Sequence, residues 1–240
     1  MKILIIRHGD PDYSIDGLTE KGKREAELLK NRLEKIDIKA IYCSIYGRAK
    51  LTIEPTLKAK NMIATYCDWL REFDYARVKL PYLDNEKATW DFLPEYVDSD
   101  PLLLTNNWQD ADLIKESNVP DCYDNVCKEF DKVLEKHGYK RNGKYYQVLS
   151  ENRDTIVFVC HLAVMSVMLS HLMGIPYVIL TQHFACAPSG VTTLVSEERE
   201  EGVAQFRCLI YGDITHLTVA GQQPSFHGRF CEIFHSDERH

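Results

Sequence analysis

Short apolar runs that end in a polar or charged residue recur along this chain. Runs of this length, bounded by charged or turn-forming residues, are typical of buried β-strands. Four of them, the third weaker than the others, span residues 2–6, 39–43, 62–67 and 155–160. Two later runs, residues 191–196 and 204–211, predict a hairpin-like pair of strands around a charged turn.

Helical patterns lie between these runs. Thr19 is a candidate N-cap for a charged helix that ends near Lys35, and a second helix is predicted to begin near Gly47. Residues 163–173 form an apolar helical pattern that Gly174 closes. Strands that alternate with helices indicate a mostly parallel sheet with helices on both faces. We therefore predict a three-layer α/β fold.

Residues from about 73 to 152 depart from this alternation. They are irregular, aromatic and acidic, with one helical segment near residues 123–137. Between Asp84 and Asp124 the basic residues are Lys87 and Lys115 alone. We predict a helical, acidic insertion that lies as a lid over the carboxyl edge of the sheet. Since the sequence has no repeat or flexible linker, residues 1–240 are predicted to form one domain.

Charge and composition exclude several classes of partner. A formal net charge of -7 disfavours nucleic acid and anionic membrane surfaces, because both require a basic face. The apolar runs are too short for a signal peptide or a membrane span, so we expect a soluble, cytoplasmic protein. The eight cysteines form no Cys-x-x-Cys pair, and reduced thiols are expected. The sequence leaves the oligomeric state open.

Reactive side chains follow four of the predicted strands. They are Arg7 and His8, then Ser44 with Arg48, then Glu72, and finally His161. The carboxyl ends of parallel strands meet at one edge of a sheet, where ligands bind. A guanidinium group presents a planar fork to an oxyanion, and a neutral imidazole is a nucleophile or a base. The set therefore indicates phosphate chemistry.

These residues occur in motifs that resemble those of the histidine phosphatase superfamily, also called the phosphoglycerate-mutase-like family. The motifs are, in chain order, residues 7–9 (Arg-His-Gly), residues 18–22 (Leu-Thr-Glu-Lys-Gly), Ser44 with Arg48, Ala49 and Thr52, residues 70–72 (Leu-Arg-Glu), and His161. Their order and approximate spacing match over the whole chain apart from the insertion. The resemblance implies a small-molecule phosphomonoester substrate and no metal ion or other cofactor.

The resemblance also implies a role for each residue. His8 would attack phosphorus and become a phosphohistidine, and Glu72 would protonate the leaving group, with Asp74 as a rival for that role. Arg7, Arg48 and His161 would bind the phosphate oxygens.

Three further residues are candidates for the loop that contacts the substrate: Gly9, Ser14 and Leu162. Ser14 stands where many members of the family have asparagine, and Leu162 where glycine usually follows the second histidine.

Among the activities that such a site allows, we predict hydrolysis of a monophosphate. An acidic lid would repel the second phosphate of a mutase intermediate, and this repulsion favours hydrolysis. A phosphoglycerate-type phosphomutase is the alternative. A catalytically silent phosphate-binding or interaction module is an alternative of another class. A metallohydrolase built on the histidines is the least favoured, because the sequence has no paired metal-ligand spacing.

Overall fold

An eight-stranded sheet runs through the computed structural model, which describes residues 1–80 and 83–236. Its strands are, in chain order, β1 (Lys2–Arg7), β2 (Ala40–Ser44), β3 (Thr65–Cys67), β4 (Tyr139–Asn142), β5 (Tyr145–Val148), β6 (Thr155–Cys160), β7 (Val191–Glu200) and β8 (Val203–Asp213). Across the sheet the order is β3-β2-β6-β1-β7-β8-β5-β4. The first four in this order are parallel, and the other neighbours pair antiparallel.

Seven α-helices accompany the sheet in the described residues. They are α1 (Glu20–Leu33), α2 (Gly47–Lys60), α3 (Pro94–Ser99), α4 (Val119–Lys136), α5 (Leu162–Met173), α6 (Tyr177–His183) and α7 (Thr215–Thr218). Short 3-10 turns span Asp68–Leu70, Phe73–Tyr75, Thr89–Asp91, Pro101–Leu104 and Trp108–Asp110. Two small ladders pair Pro11–Asp12 with Gly17–Leu18 and Arg77–Val78 with Lys87–Ala88.

Alternate residues of β1 face two different apolar cores. Ile3 and Ile5 belong to the larger core, which also contains residues of α4 and α5. Leu4 and Ile6 belong to the smaller core, which contains residues of α1 and α2. Because side chains alternate across a strand, the helices cover both faces of the sheet. The predicted three-layer, mostly parallel α/β fold is therefore confirmed.

The strands around the centre of the sheet follow the sequence prediction, with changes at their ends. Only Thr65–Cys67 of the weak third run is a strand, and the later pair is longer than predicted, at Val191–Glu200 and Val203–Asp213. The hairpin of β4 and β5 was not predicted; it lies inside the insertion and extends the sheet beyond β8. Exposed residues alternate with buried ones only over a few positions there, which leaves a weak pattern in the sequence.

The acidic segment packs through its aromatic residues. The ring centroids of Phe73 and Trp108 lie 5.6 and 5.5 Å from that of Tyr177 at the start of α6. Tyr177 is fully buried, and its hydroxyl accepts a 2.9 Å hydrogen bond from Thr89. The segment therefore adds to the larger core beside α6. A single domain with a lid at about residues 73–152 stays a prediction.

All eight cysteines are free thiols, and four of them are buried. No helix in the described part of the chain combines the length and apolar character needed to cross a membrane.

Candidate active site

The two histidines that follow β1 and β6 meet at the carboxyl edge of the sheet. The ring centroids of His8 and His161 are 4.9 Å apart, and both side chains are buried. Cys160, the last residue of β6, pairs with Arg7 at the end of β1. The parallel register of these two strands thus places one histidine beside the other.

Hydrogen bonding fixes the tautomer of His8. Its Nδ1 donates to the carbonyl oxygen of Gly9 at 2.8 Å, because a carbonyl can only accept. Nε2 then carries the lone pair. Burial, followed by the charge of Arg7, holds the pKa of His8 well below its ordinary value. His8 is accordingly neutral at neutral pH, with Nε2 free to act as a nucleophile.

His161 is held by the end of β2. Its Nε2 shares a 2.8 Å hydrogen bond with the hydroxyl of Ser44. Its Nδ1 is buried and has no partner among the described residues. Burial, and then the neighbouring His8, lower its pKa well below the ordinary value. A buried nitrogen without a partner beside His8 is suited to a ligand oxygen.

The backbone after His8 is anchored by both helices of the smaller core. Gly9 donates its N–H to the Thr52 hydroxyl of α2 at 2.8 Å. Asp10 donates its N–H to Oε2 of Glu25 on α1, also at 2.8 Å. A Cβ at Gly22 would overlap the Asp10 carbonyl oxygen, so α1 reaches the loop only because glycine occupies that position. Thr52 and Gly22, two of the motif residues, thus serve the conformation of this loop.

The guanidinium of Arg7 is held by backbone carbonyls. Its Nη1 donates to Cys186 at 2.6 Å and to His227 at 2.7 Å. Its Nε is buried without a partner in the described residues. The side chain is therefore fixed in place and retains a donor for a bound anion.

Arg48 is oriented by a carboxylate that sequence reasoning did not select. Its Nη1 pairs with Oδ1 of Asp16 at 2.6 Å, and Oδ2 of Asp16 accepts from the Gly47 N–H at the start of α2, also at 2.6 Å. The guanidinium carbon lies 4.7 Å from the ring centroid of Tyr46. Asp16 therefore orients Arg48 and also satisfies the first turn of its helix.

Glu72 closes the site at the start of α5. Its Oε1 accepts hydrogen bonds from the N–H groups of Phe73, at 2.9 Å, and Ala163, at 3.1 Å. Burial raises the pKa of Glu72 above its ordinary value, against these two bonds and the charge of Arg7. Oε2 is then the oxygen available to carry a proton. Glu72 lines a cavity at this edge of the sheet. Asp74, the predicted rival, is not among the described lining residues, and neither are His8, Arg48 and His161.

A cavity of about 210 Å³ opens beside Arg7 and Glu72. Much of its wall is apolar or aromatic, formed by Tyr13, Trp90, Leu162, Ala163, Phe184, Ala185 and Phe230. Trp90 is the contribution of the acidic segment, and no carboxylate between Asp84 and Asp124 belongs to the described lining. No carboxylate of this segment in the described lining could therefore repel a second phosphate, as the sequence analysis expected of an acidic lid.

The three residues predicted for the substrate loop lie in different surroundings. Gly9 is buried, and Leu162 lines the cavity. Ser14 is exposed, and its hydroxyl donates to Asp12 at 2.6 Å. Leu162 is therefore the member of this set positioned to contact a substrate.

A segment near the end of the chain covers the site, and sequence reasoning assigned it no role. This strap (residues 224–230) is bound to Asp10 by the hydroxyl of Ser225 and by Nδ1 of His227, the latter at 2.8 Å. Its residues Gly228, Arg229 and Phe230 line the cavity. In the sequence, this segment is marked by a glycine that lies between aromatic residues in an otherwise polar tail.

His216 is also placed near the site, behind His8. Its Nε2 and the Ser189 hydroxyl share a 3.0 Å hydrogen bond, and Ser189 donates its backbone N–H to the carbonyl of His8 at 2.9 Å. The residue supports the backbone of the site from outside the cavity. In the described residues no group of three or more histidine, cysteine or acidic side chains has an arrangement that would hold a metal ion.

Comparisons with known proteins identify a family for this chain. The family model described as histidine phosphatase superfamily (branch 1) matches residues 3–208. A probable phosphatase of Schizosaccharomyces pombe is 28% identical over 183 residues, which cover 72% of this chain and 74% of that protein.

Two solved structures share the fold. A mutant phosphoserine phosphatase of Entamoeba histolytica, in complex with phosphoserine, is 17% identical with a TM-score of 0.59, over 90% of this chain and 98% of that one. A mycobacterial glucosyl-3-phosphoglycerate phosphatase is 17% identical with a TM-score of 0.59, over 88% and 98%.

Proposed function

The chain belongs to the histidine phosphatase superfamily (branch 1), and on that premise we propose that it is a metal-independent phosphomonoester hydrolase that forms a phosphohistidine at His8. Membership of this superfamily and the phosphatase names of its relatives support phosphatase activity. The observation that carries the proposal is the neutral His8, whose Nδ1 is held by Gly9 and whose Nε2 is free beside His161.

In the first half-reaction, Nε2 of His8 forms a bond to phosphorus while the bond from phosphorus to the leaving oxygen breaks. Charge accumulates on the three equatorial oxygens, and preorganised donors stabilise it. Arg7, Arg48 and His161 supply these donors. Each of them is already held by a protein partner, so little reorganisation accompanies the reaction.

Glu72 donates a proton to the departing alkoxide. The direction of its pKa shift favours the protonated form that a general acid requires. After the leaving group departs, Glu72 is ionised and can take a proton from the water that attacks the phosphohistidine. That second transfer restores neutral His8 and protonated Glu72.

The cavity supports a substrate with one phosphate and an uncharged, largely apolar or aromatic remainder. Tyr13, Trp90 and Phe230 offer faces on which such a group can pack. The cationic side chains of the described wall are those of Arg7 and Arg229, and Arg229 is paired with Glu232 at 2.7 Å. A phosphomutase intermediate would require further basic groups for its second phosphate.

Hydrolysis of an aryl phosphate in excess chelator tests this function directly. We expect wild type to be active and His8→Ala to be inactive. His171→Asn is the matched control, because His171 pairs with Asp131 at 2.8 Å and is not part of the described cavity lining.

Rapid quenching with radiolabelled substrate supplies the second measurement. The expected result is an acid-labile protein label in wild type that is absent from His8→Ala. A wild-type protein that is inert towards aryl and alkyl phosphates, or a label retained in His8→Ala, would contradict the proposal.

A further inference from the structure

One peptide group connects the nucleophile to a buried carboxyl group. The carbonyl of Gly9, which accepts from Nδ1 of His8, and the N–H of Asp10, which donates to Glu25, belong to the same planar peptide unit. Both hydrogen bonds are 2.8 Å long. The side chain of Glu25 is therefore linked to the imidazole of His8 through one polarisable group.

Glu25 occupies an unusual position for a carboxyl group. It is 0% exposed and lies on the face of α1 that also buries Gly22, Ala26 and Leu29. Its Oε1 has no partner among the described residues. Burial of a carboxyl group with one unsatisfied oxygen is costly. Within residues 1–80 and 83–236, the one hydrogen bond that the Glu25 side chain accepts comes from the N–H of Asp10.

Resting on the function proposed above, we propose that Glu25 is a positioning residue for His8, whose carboxylate polarises the Gly9–Asp10 peptide and strengthens the acceptor that holds Nδ1–H. A carboxylate at the N–H end of a peptide increases the negative charge on its carbonyl oxygen, since adjacent hydrogen bonds strengthen one another. The stronger acceptor holds His8 as the tautomer whose lone pair is on Nε2.

The same link acts during phosphoryl transfer. When Nε2 bonds to phosphorus and the leaving oxygen departs with the proton of Glu72, the imidazole becomes positively charged and keeps its proton on Nδ1. A polarised Gly9 carbonyl stabilises this charge, and it does so without accepting the proton. Glu25 therefore acts on the reaction through the peptide and does not touch the substrate.

Ionisation of Glu25 couples this support to pH. Burial is the largest cause of the rise of its pKa to about 7. The hydrogen bond from the Asp10 N–H opposes this rise, the charge of Asp10 adds to it, and the charges of Lys21 on α1 and Arg7 on β1 oppose it. The strap adds His227, which binds the carboxylate of Asp10. The fraction of Glu25 that is ionised, and with it the acceptor strength of Gly9, should rise through neutral pH.

Two substitutions separate the charge of Glu25 from its hydrogen bond. Glu25→Gln retains an oxygen that accepts from Asp10 but has no charge, and Glu25→Ala removes both. Glu27→Gln is the matched control, because Glu27 is an exposed residue of the same helix that pairs with Lys30. Thermal unfolding of each variant reports its stability separately.

The first readout is the burst rate of phosphoenzyme formation from an aryl phosphate, whose leaving group needs no acid. We expect this rate to fall about tenfold in Glu25→Gln, which corresponds to ~1.4 kcal/mol of transition-state stabilisation, and further in Glu25→Ala. We expect KM to be unchanged, and the wild-type rise in rate through pH 7 to be lost in Glu25→Gln. Variants that lose stability but keep the wild-type burst rate and pH profile would overturn the proposal.

The second readout does not depend on turnover. Nitrogen NMR of histidine-labelled protein reports the tautomer of His8, whose signals are identified by their absence in His8→Ala. We expect the Nδ1–H tautomer in wild type and in Glu27→Gln, and a mixture of tautomers in Glu25→Ala. An unchanged tautomer in folded Glu25→Ala would overturn the inference. An altered tautomer in a protein without phosphatase activity would instead contradict the proposed function alone.

Discussion

The backbone carbonyl of His227 accepts a 2.7 Å hydrogen bond from Nη1 of Arg7, which lies 220 positions earlier in the chain. The next residue, Gly228, packs so closely on the same guanidinium that a Cβ there would overlap it. Arg7 is also a proposed ligand of the phosphate. The wall of the cavity and the side chain of Arg7 therefore hold each other in position.

Replacement of Gly228 should displace the strap. The Cβ of Gly228→Ala would overlap Arg7, so we expect KM for an aryl phosphate to rise about tenfold as the apolar wall of Phe230 is lost. Gly221→Ala is the control, because Gly221 has a similarly positive φ of 71° but nothing within 4 Å of its Cβ position. Steady-state kinetics of both variants decide the matter, and equal KM values would contradict the role of the strap.

The acid role of Glu72 predicts a dependence on the leaving group. Alkyl phosphates need a proton on the departing oxygen, whereas aryl phosphates with good leaving groups do not. We expect Glu72→Gln to slow alkyl esters by about 10²–10⁴-fold and aryl esters much less. The ratio of kcat/KM for the two ester classes, measured in wild type and variant, gives the answer. Equal losses for both classes would remove Glu72 from this role.

The shifted pKa values predict the pH profile for an alkyl phosphate. Because the pKa of His8 is lowered, its nucleophilic neutral form persists as the pH falls below the ordinary histidine value. Because the pKa of Glu72 is raised, this residue keeps its proton above the ordinary glutamate range. Activity should decline as the pH rises through the pKa of Glu72 and the acid loses its proton. We expect the decline at high pH to disappear in Glu72→Gln. A decline that persists in the variant would assign it to another group.

Asp16 predicts a separation of binding from stability. Asparagine tolerates the positive φ of 47° at this position and can still accept from the Gly47 N–H, but it provides no charge for Arg48. We therefore expect Asp16→Asn to raise KM by about tenfold, with thermal stability close to wild type. Asp16→Ala should raise KM and also lower the thermal stability. A loss of stability in Asp16→Asn without a change in KM would contradict this account.

The raised pKa of Glu25 predicts a contribution to stability at low pH. The unfolded chain ionises this group near its ordinary value of 4.5, whereas the folded protein does so at about 7. The contribution is complete below the lower value and is lost as the pH rises through the higher one. Across that interval we expect the free energy of unfolding to fall by an amount on the order of 3 kcal/mol more in wild type than in Glu25→Gln. Denaturant titrations at several pH values measure it, and parallel curves would contradict the shift.

The sequence predicts the strand-end residues well because their positions follow from local pattern. Apolar runs mark β1, β2 and β6, and parallel strands of one sheet must end at the same edge. His8 and His161 were therefore predicted to lie at the same edge once both runs were assigned to one parallel sheet. The order of strands and the antiparallel extension from β7 to β4 depend on pairing between distant segments, which the pattern does not contain.

Other parts of the site depend on contacts that leave little trace in the local sequence pattern. Arg7 is held by the carbonyls of Cys186 and His227, and any residue could supply a carbonyl at those positions. The composition of the acidic segment does not tell which way its side chains point. Trp90 lines the cavity, whereas no carboxylate between Asp84 and Asp124 belongs to the described lining. Glu25 left a detectable signal, since it is a charged residue in the apolar stripe of α1 three positions after Gly22.

The partnership between Arg7 and the strap also sets the order in which the site is completed. Arg7 is synthesised before the strap, and the carbonyl of His227 follows 220 residues later. At typical translation rates this interval is roughly 10–40 s. During that time the sheet can form while the strap does not yet cover the guanidinium of Arg7. The cavity gains its final wall only when residues 224–230 leave the ribosome.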